Sequence, residues 1–504
     1  MAAEKNRSSV LAIVEETVPG TIELPSVGTE MIALQEGFEF APNFNVLENA
    51  EIRSSIGASK PIQGLESPNG SFDHYLRHSG VEGQAPGYKV LLKSIFGTQT
   101  VNATERLTAA ASTVSLLKLA AGGGDFARGK AVLVKDGTNG YAIRPVDSVA
   151  TNDLTLGFDL LAAPAAGLGV GKCVNYAPAD SGHAKFSGWL YRGNGGAVEV
   201  ISGSQVTEMG ISVKAGELIV ASYSFEGVKY HFDPITITAT DTKLDFTDDD
   251  GTFVATVAAG TYRDPLELAQ ALQDAMNSAN SGETHTVVYL SASGKFKITS
   301  TGTVLSLLWN TGGNAANTIG DKIGFLTAAD DTGVAATTGY TSDNAQSYAN
   351  AITPSYDVAD PLAAKNNEVF LGNSTDVSCF CASSLDFKIT NEIQDVLCVC
   401  ALSGVQEKLI TKRLVSCDIV GLLERYEAEK FKKYRNNDDV KFLFNFGIKS
   451  GGNWVAGKCG CIYVPSATLS SFKLGDDNGI VTMELTIQAY VDSSGNGEVY
   501  LNFL

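Results

Sequence analysis

A mainly β fold is predicted for this chain of 504 residues. Glycine is abundant, with 52 residues against 14 prolines, and helical periods are scarce, which favours many short strands and turns. Two stretches, near 211–225 and near 472–487, share an outline of two alternating strands joined by a glycine-marked turn. We therefore predict duplicated β-sandwich domains, each with a flanking helix, together with inserted β-rich and α+β modules.

The charge balance restricts the partners that the chain can have. Its 37 basic and 56 acidic residues give a formal net charge of −19. This argues against tight, sequence-independent binding of nucleic acid, because that affinity comes from Lys and Arg displacing counterions from phosphates. An acidic wall would instead let a polyanion pass without sticking. The alternative, that acidic surfaces only keep a concentrated protein soluble, stays open.

The sequence predicts neither a targeting segment nor a membrane span. The apolar run from Val10 to Val14 is short and lacks a cleavage pattern behind a longer apolar core, so a signal peptide is not expected. Nowhere do about eighteen apolar residues run together without charge. We expect a protein that is made in a cytoplasm.

The first part of the chain alternates like half-buried strands and contains one helix. The run IALQEGFEF has a period of two, and YKVLLKSIFG places its apolar residues on one helical stripe, with Pro86 near its start and Gly97 at its end. Between about 106 and 180 the composition shifts to Ala, Gly and Leu with short strands. We interpret this stretch as a small β module inserted into the first domain, which resumes at about 181.

A separate α+β module is predicted next. Its helix has Asp264 as a cap, Pro265 in the first turn and Glu267 three residues after the cap. The following THTVVYLSASGKFKITS predicts a hairpin with its turn near Ser291 to Gly294.

The last part of the chain repeats the element order of the first. SLDFKITNEI corresponds to EGFEFAPNFNV, and both parts close with the shared hairpin. The predicted organisation is a first β-sandwich domain at 1–105 and 181–232, an inserted β module at 106–180, an α+β surface module at 233–360, and a second β-sandwich domain at 361–504.

The cysteines concentrate in the last quarter of the chain, where three Cys-x-Cys pairs occur. Zinc is not expected, because structural zinc sites usually take two thiolates at Cys-x₂₋₄-Cys spacing. Disulfides are disfavoured in a reducing compartment. We expect small, buried, reduced side chains that pack a sheet.

No catalytic, cofactor or metal site is predicted. The one close histidine pair, His74 and His78, lacks the adjacent glutamate of zinc proteases. The acidic stretch DFTDDDG at 245–251 lacks the ligand spacing and the later glutamate of a calcium loop. We interpret it as a solvated acidic turn, and we expect that the protein is not an enzyme.

One basic segment, ERYEAEKFKKYRNN, interrupts the acidic chain. Its candidate self-assembly residues are Arg425, Lys432 and Lys433. A solvated helix face is the usual outcome for such a run. Docking against a neighbouring subunit and contact with DNA are the other interpretations.

Three segments resemble a known family. EETVPGT, GVEGQAPGYKVLLKSIFG and the closing GDDNGIVTMELTIQAYVDSSGNGEVYLNFL are similar to the major tail tube proteins of bacteriophages with long, non-contractile tails. The resemblance implies a β-sandwich with a flanking helix, whose strands join across subunits into an inner barrel. Stacked rings of subunits would then form a hollow tube through which DNA passes into the host.

The resemblance also implies partners. Two tube domains in one chain suggest a trimeric ring with pseudo-sixfold symmetry, and the other partners would be tape-measure, tail-tip and tail-terminator proteins in a virion that is assembled in the host cytoplasm. The closing strand would connect subunits or rings through Val499, Tyr500, Leu501 and Phe503, unless it is an ordinary last strand of its own domain. Weak contact of the outer modules with the host surface is a further expectation. The alternative function is a β-modular surface adhesin.

Overall fold

The structure is a computed structural model that describes residues 6–25, 30–51, 57, 59–193, 196–346, 353–356, 359–401, 403–423, 428–477, 479–491 and 497–504. These residues form 33 strands and three α-helices, so the predicted mainly β fold is confirmed. Within them, no helix combines the length and the apolar character that crossing a membrane requires.

The elements of the first half are numbered in chain order. Strands β1 to β9, with helix α1 between β6 and β7, are Val10–Glu15, Met31–Ile32, Glu39–Ala41, Phe44–Leu47, Ile62–Glu66, Asn69–Tyr75, α1 at Lys89–Phe96, Gly97–Asn102, Arg106–Leu107 and Leu116–Lys118. Strands β10 to β18 are Ala131–Asp136, Asn139–Ala150, Asp153–Leu156, Gly169–Val170, Cys173–Pro178, Phe186–Tyr191, Val198–Lys214, Val220–Glu226 and Lys229–Phe232.

The second half continues the numbering. Strands β19 to β26, with helix α2 between β22 and β23, are Ile235–Ile237, Lys243–Asp248, Gly251–Thr256, Gly260–Tyr262, α2 at Pro265–Ala279, His285–Leu290, Lys295–Ser300, Leu305–Leu307 and Tyr340–Thr341. Strands β27 to β33, with helix α3 between β29 and β30, are Glu368–Gly372, Ala382–Leu397, Val405–Leu422, α3 at Ala428–Asn436, Val440–Ser450, Asn453–Asp477, Ile480–Ala489 and Tyr500–Phe503.

The chain divides into two compact units. The smaller unit contains Met1–Val10, Trp189–Ser202 and Tyr230–Thr353, and the larger unit contains Leu11–Gly188, Gly203–Lys229 and Pro354–Leu504. The predicted insertion at 106–180 stays a prediction. Within the larger unit, its strands β11 and β14 pair with β31 and β33.

The smaller unit packs helix α2 on small antiparallel sheets. Asp264 accepts a hydrogen bond from the backbone N–H of Glu267 at 2.8 Å and Pro265 occupies the first turn, so the predicted helix start is confirmed. The buried stripe of the helix contains Leu268, Leu272 and Met276. The predicted hairpin is also confirmed, because β23 pairs with β24 in antiparallel register across the turn.

An eight-stranded antiparallel sheet dominates the larger unit. Its spatial order is β3, β6, β17, β16, β28, β29, β32 and β31. The first four strands and the last four strands of this order form two halves. In each half the two strands that come first in the chain, β3 and β6 or β28 and β29, pair with one another. The later hairpin, β16–β17 or β31–β32, joins them through its second strand, β17 or β32. The order β3–β6–β17–β16 is therefore repeated as β28–β29–β32–β31, and pairing of β16 with β28 joins the two halves.

A second sheet contains β27, β30, β31, β33, β14 and β7 in that order. Strand β31 belongs to both sheets, because its first part pairs with β30 and its last part with β32. Helix α1 contacts both sheets. The ring of Tyr88, at its start, lies 4.7 Å from that of His74 in β6, and the ring of Phe96 lies 6.2 Å from that of Tyr176 in β14.

A buried lysine links the long β28–β29 hairpin to β17 through ion pairs. The side chain of Lys408 is fully buried, and its Nζ lies 2.6 Å from Oδ1 of Asp395 and 3.1 Å from Oε2 of Glu226. Asp395 belongs to the same hairpin and Glu226 ends β17. Because removal of one partner would leave a buried charge without compensation, this ion cluster holds the two halves of the sheet in register.

His74 is a buried histidine of the core. Its ring stacks on that of Tyr223 at 5.5 Å and 4° and packs between aromatic neighbours. Burial lowers the pKa of His74 from 6.5 to about 4. The folded protein therefore favours the neutral imidazole.

We predict that this histidine makes folding pH-dependent. As the pH falls from about 6.5 to about 4, the unfolded chain takes up a proton that the folded chain resists, so stability decreases by up to about 3 kcal/mol. Urea denaturation at pH 7, 6, 5 and 4 should show this loss in the wild type and a shallower loss in His74→Gln. Equal pH slopes for the two proteins would contradict the prediction.

Candidate self-assembly surface

One face of the eight-stranded sheet is buried and the other is polar. In β16 the side chains of Met209, Ile211 and Val213 are buried, whereas Ser212 and Lys214, which alternate with them, are exposed. Since successive side chains of a strand point to opposite faces, all exposed positions of this kind lie on one surface of the larger unit.

Directly opposed residues form rows across this polar face. One row runs from β6 to β31 through Asp73, Ser222, Gly210, Lys388, Ser416, Gln488 and Thr468. The next row runs through Tyr75, Val220, Ser212, Asp386, Asp418, Thr486 and Ser471. Hydroxyl and acidic side chains predominate in both.

The charges of the face are partly neutralised, and an acidic excess is left. Nζ of Lys388 lies 2.8 Å from Oε1 of Glu208. Oγ1 of Thr486 donates a hydrogen bond of 2.6 Å to Oδ1 of Asp418. The basic group of the two rows is therefore already paired, so the face offers little attraction to phosphate.

Both edges of the sheet expose backbone groups. Among the described residues, β32 is the only strand that pairs with the segment from Thr468 to Asp477 of β31. At the opposite edge, within the same described parts of the chain, β3 pairs with β6 alone and β4 with β5 alone. Unpaired strand edges are templates for pairing with another chain.

The two hairpins of the sheet have the same irregularity. The register of β16 with β17 shifts between Val206 and Glu208, and the register of β31 with β32 shifts between Leu469 and Ser471. In both hairpins the extra residue lies in the first strand. Lys473 in β31 is therefore equivalent to Gly210 in β16.

Apolar side chains are exposed where the long hairpins end. Phe44, Val46, Leu47 and Ile62 are 38%, 59%, 50% and 59% exposed in the β4–β5 hairpin. Other exposed residues of this kind are Leu397, Val399 and Leu409 in the β28–β29 hairpin and Leu474, Ile480 and Val481 in the β31–β32 hairpin. Leu47 and Ile62 are directly opposed in the β4–β5 hairpin, and clustered exposed apolar groups of this type mark interaction surfaces.

The structure places the candidate residues of the closing strand inside the larger unit. Val499, Tyr500, Leu501 and Phe503 are all buried, and β33 lies between β14 and β31. This position corresponds to an ordinary strand of its own domain, which was the alternative left open above. Their role as connectors between subunits stays a prediction.

Asn502 is a polar residue of that strand with no exposed surface. Its Oδ1 accepts hydrogen bonds from the backbone N–H of Ala131 at 3.1 Å, from Nδ2 of Asn175 at 2.9 Å and from Sγ of Cys173 at 3.3 Å. Its Nδ2 donates to the carbonyl oxygen of Gly129 at 3.0 Å. These bonds fix the register of β33 against residues that precede it by more than 300 positions.

The basic residues near α3 have separate environments. Lys433 is buried, and its Nζ donates to Oδ1 of Asn373 at 2.9 Å, so it serves contacts within the chain. Lys432 is exposed. Arg425 lies outside the described residues. Phe431 and Tyr434 of the same helix contact Phe472.

The expectation that the cysteines pack a sheet is half right. All eight are free, and the buried ones are Cys173, Cys417, Cys459 and Cys461. Burial raises the pKa of Cys173 to about 12, which makes this thiol unreactive. The expectation is wrong for Cys379, Cys381, Cys398 and Cys400, which are exposed or half-buried because they lie in the segments that flank β28.

The acidic stretch at 245–251 also differs from its prediction. Asp249 and Asp250 are exposed, but Asp245 and Asp248 are buried, so the stretch is only partly a solvated turn. In the described residues, Asp248 lies in the one group of side chains that could hold a metal ion, together with Glu283 and His285. The density of acidic residues at 245–251 was the only sequence signal for this group. Glu283 and His285 lie more than 30 positions later in the chain, so the sequence did not indicate that they join Asp248.

Residues 6–264 match the family described as "Phage tail tube protein". The match covers just over half of the 504 residues, and the chain therefore belongs to the phage tail tube protein family. It is a structural protein of the bacteriophage tail. A search of curated proteins found no match.

We predict that the loss of Asn502 destabilises the larger unit. Asn502→Ala leaves the buried backbone N–H of Ala131 in β10 without its acceptor and removes the other hydrogen bonds of this side chain. It should reduce the free energy of unfolding by about 3 kcal/mol. Urea denaturation measures the change. The matched control is Asn436→Ala at an exposed position, which should change stability by less than about 0.5 kcal/mol. Equal stability of the two variants would contradict the structural role of Asn502.

Proposed function

We propose that this protein self-assembles into stacked rings that form the hollow tail tube of a phage with a long, non-contractile tail, and that DNA passes through the tube into the host. The observation that carries the proposal is the eight-stranded sheet of the larger unit, which has one polar face and, among the described residues, two unpaired edges. A closed ring of such sheets removes both edges and turns the polar face into an inner wall.

The ring closes by the contact that already joins the two halves of one chain. Within the chain, β16 pairs with β28 over the seven residues from Glu208 to Lys214. The equivalent strands at the free edges are β31 and the β3–β4 segment. We infer that β31 of one subunit pairs with β3 of the next, which is a head-to-tail contact that generates rings.

Three chains per ring are supported by the repeated strand order. If the tube domain is duplicated, each chain supplies two equivalent parts and three chains give pseudo-sixfold symmetry. Three sheets of eight strands would form a barrel of about 24 strands, and at about 4.8 Å per strand its diameter would be roughly 37 Å before strand tilt. Inward side chains reduce this width but leave room for a DNA duplex.

The polar face suits a wall that conducts DNA. Its acidic excess and its paired Lys388 give phosphate no strong binding site, so the duplex can slide. We propose that tape-measure, tail-tip and tail-terminator proteins are the other partners and that assembly takes place in the host cytoplasm before the protein becomes part of the virion. The module at 233–360 is proposed to face outward, where weak host contact can occur.

Electron microscopy of the purified, concentrated protein tests the function. We expect hollow tubes whose rotational average has threefold or pseudo-sixfold symmetry. Tubes with six chains per ring would retain the function and reject the trimeric ring. Persistent monomers that bind cells or glycans would overturn the proposal in favour of an adhesin.

Cysteine cross-linking tests the ring contact. Within the chain, Gly210 faces Lys388. Lys473 is equivalent to Gly210, and Ala41 is equivalent to Lys388 when Phe40 is aligned with Phe387. Lys473 should therefore face Ala41 of the next subunit. In assembled tubes of Ala41→Cys/Lys473→Cys, mild oxidation should link neighbouring chains, because opposed Cβ atoms are about 4.5–5.5 Å apart. A non-reducing gel should show a ladder that ends at the trimer.

The control shifts the register by one residue. Ala41→Cys/Leu474→Cys places the second thiol on the opposite face of β31, so it should link poorly. Both variants carry Ser in place of the exposed Cys379, Cys381 and Cys400. A ladder that ends at the hexamer would reject three chains per ring, and equal linking by both variants would reject the register.

A further inference from the structure

Three side chains of different chemistry converge at one end of the smaller unit. Asp248 ends β20, His285 begins β23, and Glu283 lies in the connection between α2 and β23. One potential ligand atom from each lies within 4.8 Å of the others. The three residues are separated by up to 37 positions in the chain, so the fold of the unit brings them together.

The spacing of the two buried groups fits metal coordination better than a hydrogen bond. Nε2 of His285 lies 3.4 Å from Oδ2 of Asp248, and both side chains are fully buried. A good hydrogen bond from nitrogen to oxygen is about 2.9–3.0 Å long. Two ligand atoms that are each about 2.1 Å from a metal ion and enclose a tetrahedral angle lie about 3.4 Å apart.

The imidazole of His285 is an independent indication of a ligand. It has no exposed surface, and neither ring nitrogen has a hydrogen-bond partner among the described residues. Phe246 packs against the ring at 4.9 Å and 71°, which leaves Nε2 directed at Asp248. Buried polar groups are almost always paired, so an orphaned imidazole beside two carboxylates indicates a missing partner.

The carboxylates are held in place by their neighbours. Oδ2 of Asp248 accepts a hydrogen bond from Nδ2 of Asn280 at 2.7 Å. Oε1 of Glu283 accepts one from the backbone N–H of Asp249 at 3.0 Å, and Oε2 accepts another from Oγ of Ser300. Each carboxylate oxygen retains a further electron pair for a cation.

The backbone of the histidine is fixed as well. Asn277 of α2 accepts a hydrogen bond of 2.7 Å from the N–H of His285 and donates one of 3.1 Å to its carbonyl oxygen. Such outer contacts orient the ligands of metal sites before the ion binds.

The local charge requires a cation. Four carboxylates lie in and around the group, and among the described residues none of them forms a salt bridge with Lys or Arg: Asp248, Asp249, Asp250 and Glu283. A divalent ion would offset this concentrated negative charge at the site itself.

We propose that Asp248, Glu283 and His285 bind a first-row divalent cation, with Zn²⁺ the preferred ion. An imidazole with two carboxylates suits Zn²⁺ or Mn²⁺, whereas Ca²⁺ and Mg²⁺ prefer sites made of oxygen alone. Water completes the coordination. The ion ties the end of β20 to the connection between α2 and β23 and so stabilises the smaller unit, which makes it a structural cation.

Calorimetric titration and thermal unfolding of the full chain test the proposal after treatment with a chelator. The protein used in this test has the substitutions Cys379→Ser, Cys381→Ser and Cys400→Ser, because exposed thiols also bind zinc. We expect one equivalent of ZnCl₂ to bind and the unfolding transition of the smaller unit to rise by about 5 °C at saturation. CaCl₂ at the same concentration should give a smaller shift.

Two variants and one control separate the site from unspecific binding. Glu283→Gln and His285→Gln should each weaken zinc binding by at least about tenfold, since loss of a ligand typically costs this much or more. Asp274→Asn changes an exposed carboxylate on α2 of the same unit and should bind zinc like the parent. Glu283 is only half-buried, so its variant keeps the test valid if His285→Gln does not fold.

The absorption spectrum of bound Co²⁺ tests whether the imidazole of His285 is a ligand of the ion. Co²⁺ added to the chelator-treated protein should give a visible absorption spectrum that Zn²⁺ displaces, and this spectrum should change in His285→Gln. The proposal is overturned if zinc fails to bind, if Glu283→Gln binds as tightly as the Asp274→Asn control, or if Ca²⁺ binds more tightly than Zn²⁺.

Discussion

The pairing of β16 with β28 is the contact on which the large sheet depends. Seven consecutive residue pairs join a strand of the first half of the chain to one of the second half. Without this contact the molecule would have two four-stranded sheets with four open edges. With it, one continuous surface has a buried face and a polar face. Helix α1 contacts strands of both halves, since Ser94 accepts a hydrogen bond of 3.0 Å from the N–H of Val206 in β16 and Ile95 accepts one of 3.1 Å from Nδ2 of Asn391 in β28.

The polar face of the joined sheet is independent of its core. An antiparallel sheet that is buried on one side exposes alternate residues on the other side, so the composition of the exposed positions can change without disturbing the core. Ser, Thr and acidic residues occupy most positions of the two rows that cross the polar face. The buried Lys408 adds a second tie between the halves, since its partners Asp395 and Glu226 belong to different strands of the joined sheet.

Local sequence signals predicted local structure well. Asp264, Pro265 and Glu267 defined the start of α2 because capping involves neighbours along the chain. Gly97 ended α1 with a positive φ of 95°, as a residue without a Cβ allows. The mainly β class also followed from composition and alternation.

Long-range contacts could not be predicted in the same way. A period of two shows which residues share a face, but it does not show that β16 meets β28 about 180 positions later. The same limit explains Asp248, whose burial depends on Asn280 and on the fold of the smaller unit. It also explains the flanking cysteines, because an apolar run such as SCFCAS does not reveal that the strand begins only at Ala382.

Strand β33 is required to complete the second sheet of the larger unit. It fills the space between β14 and β31, and its hydrogen bonds through Asn502 reach Ala131 and Asn175. Until residues 500–503 have left the ribosome, the nascent chain cannot close the second sheet, and two strand edges and an apolar slot remain open. The core is therefore completed only after the other strands of this sheet have been synthesised, and a chain that lacks residues 500–503 would present the exposed apolar surface that chaperones and proteases recognise.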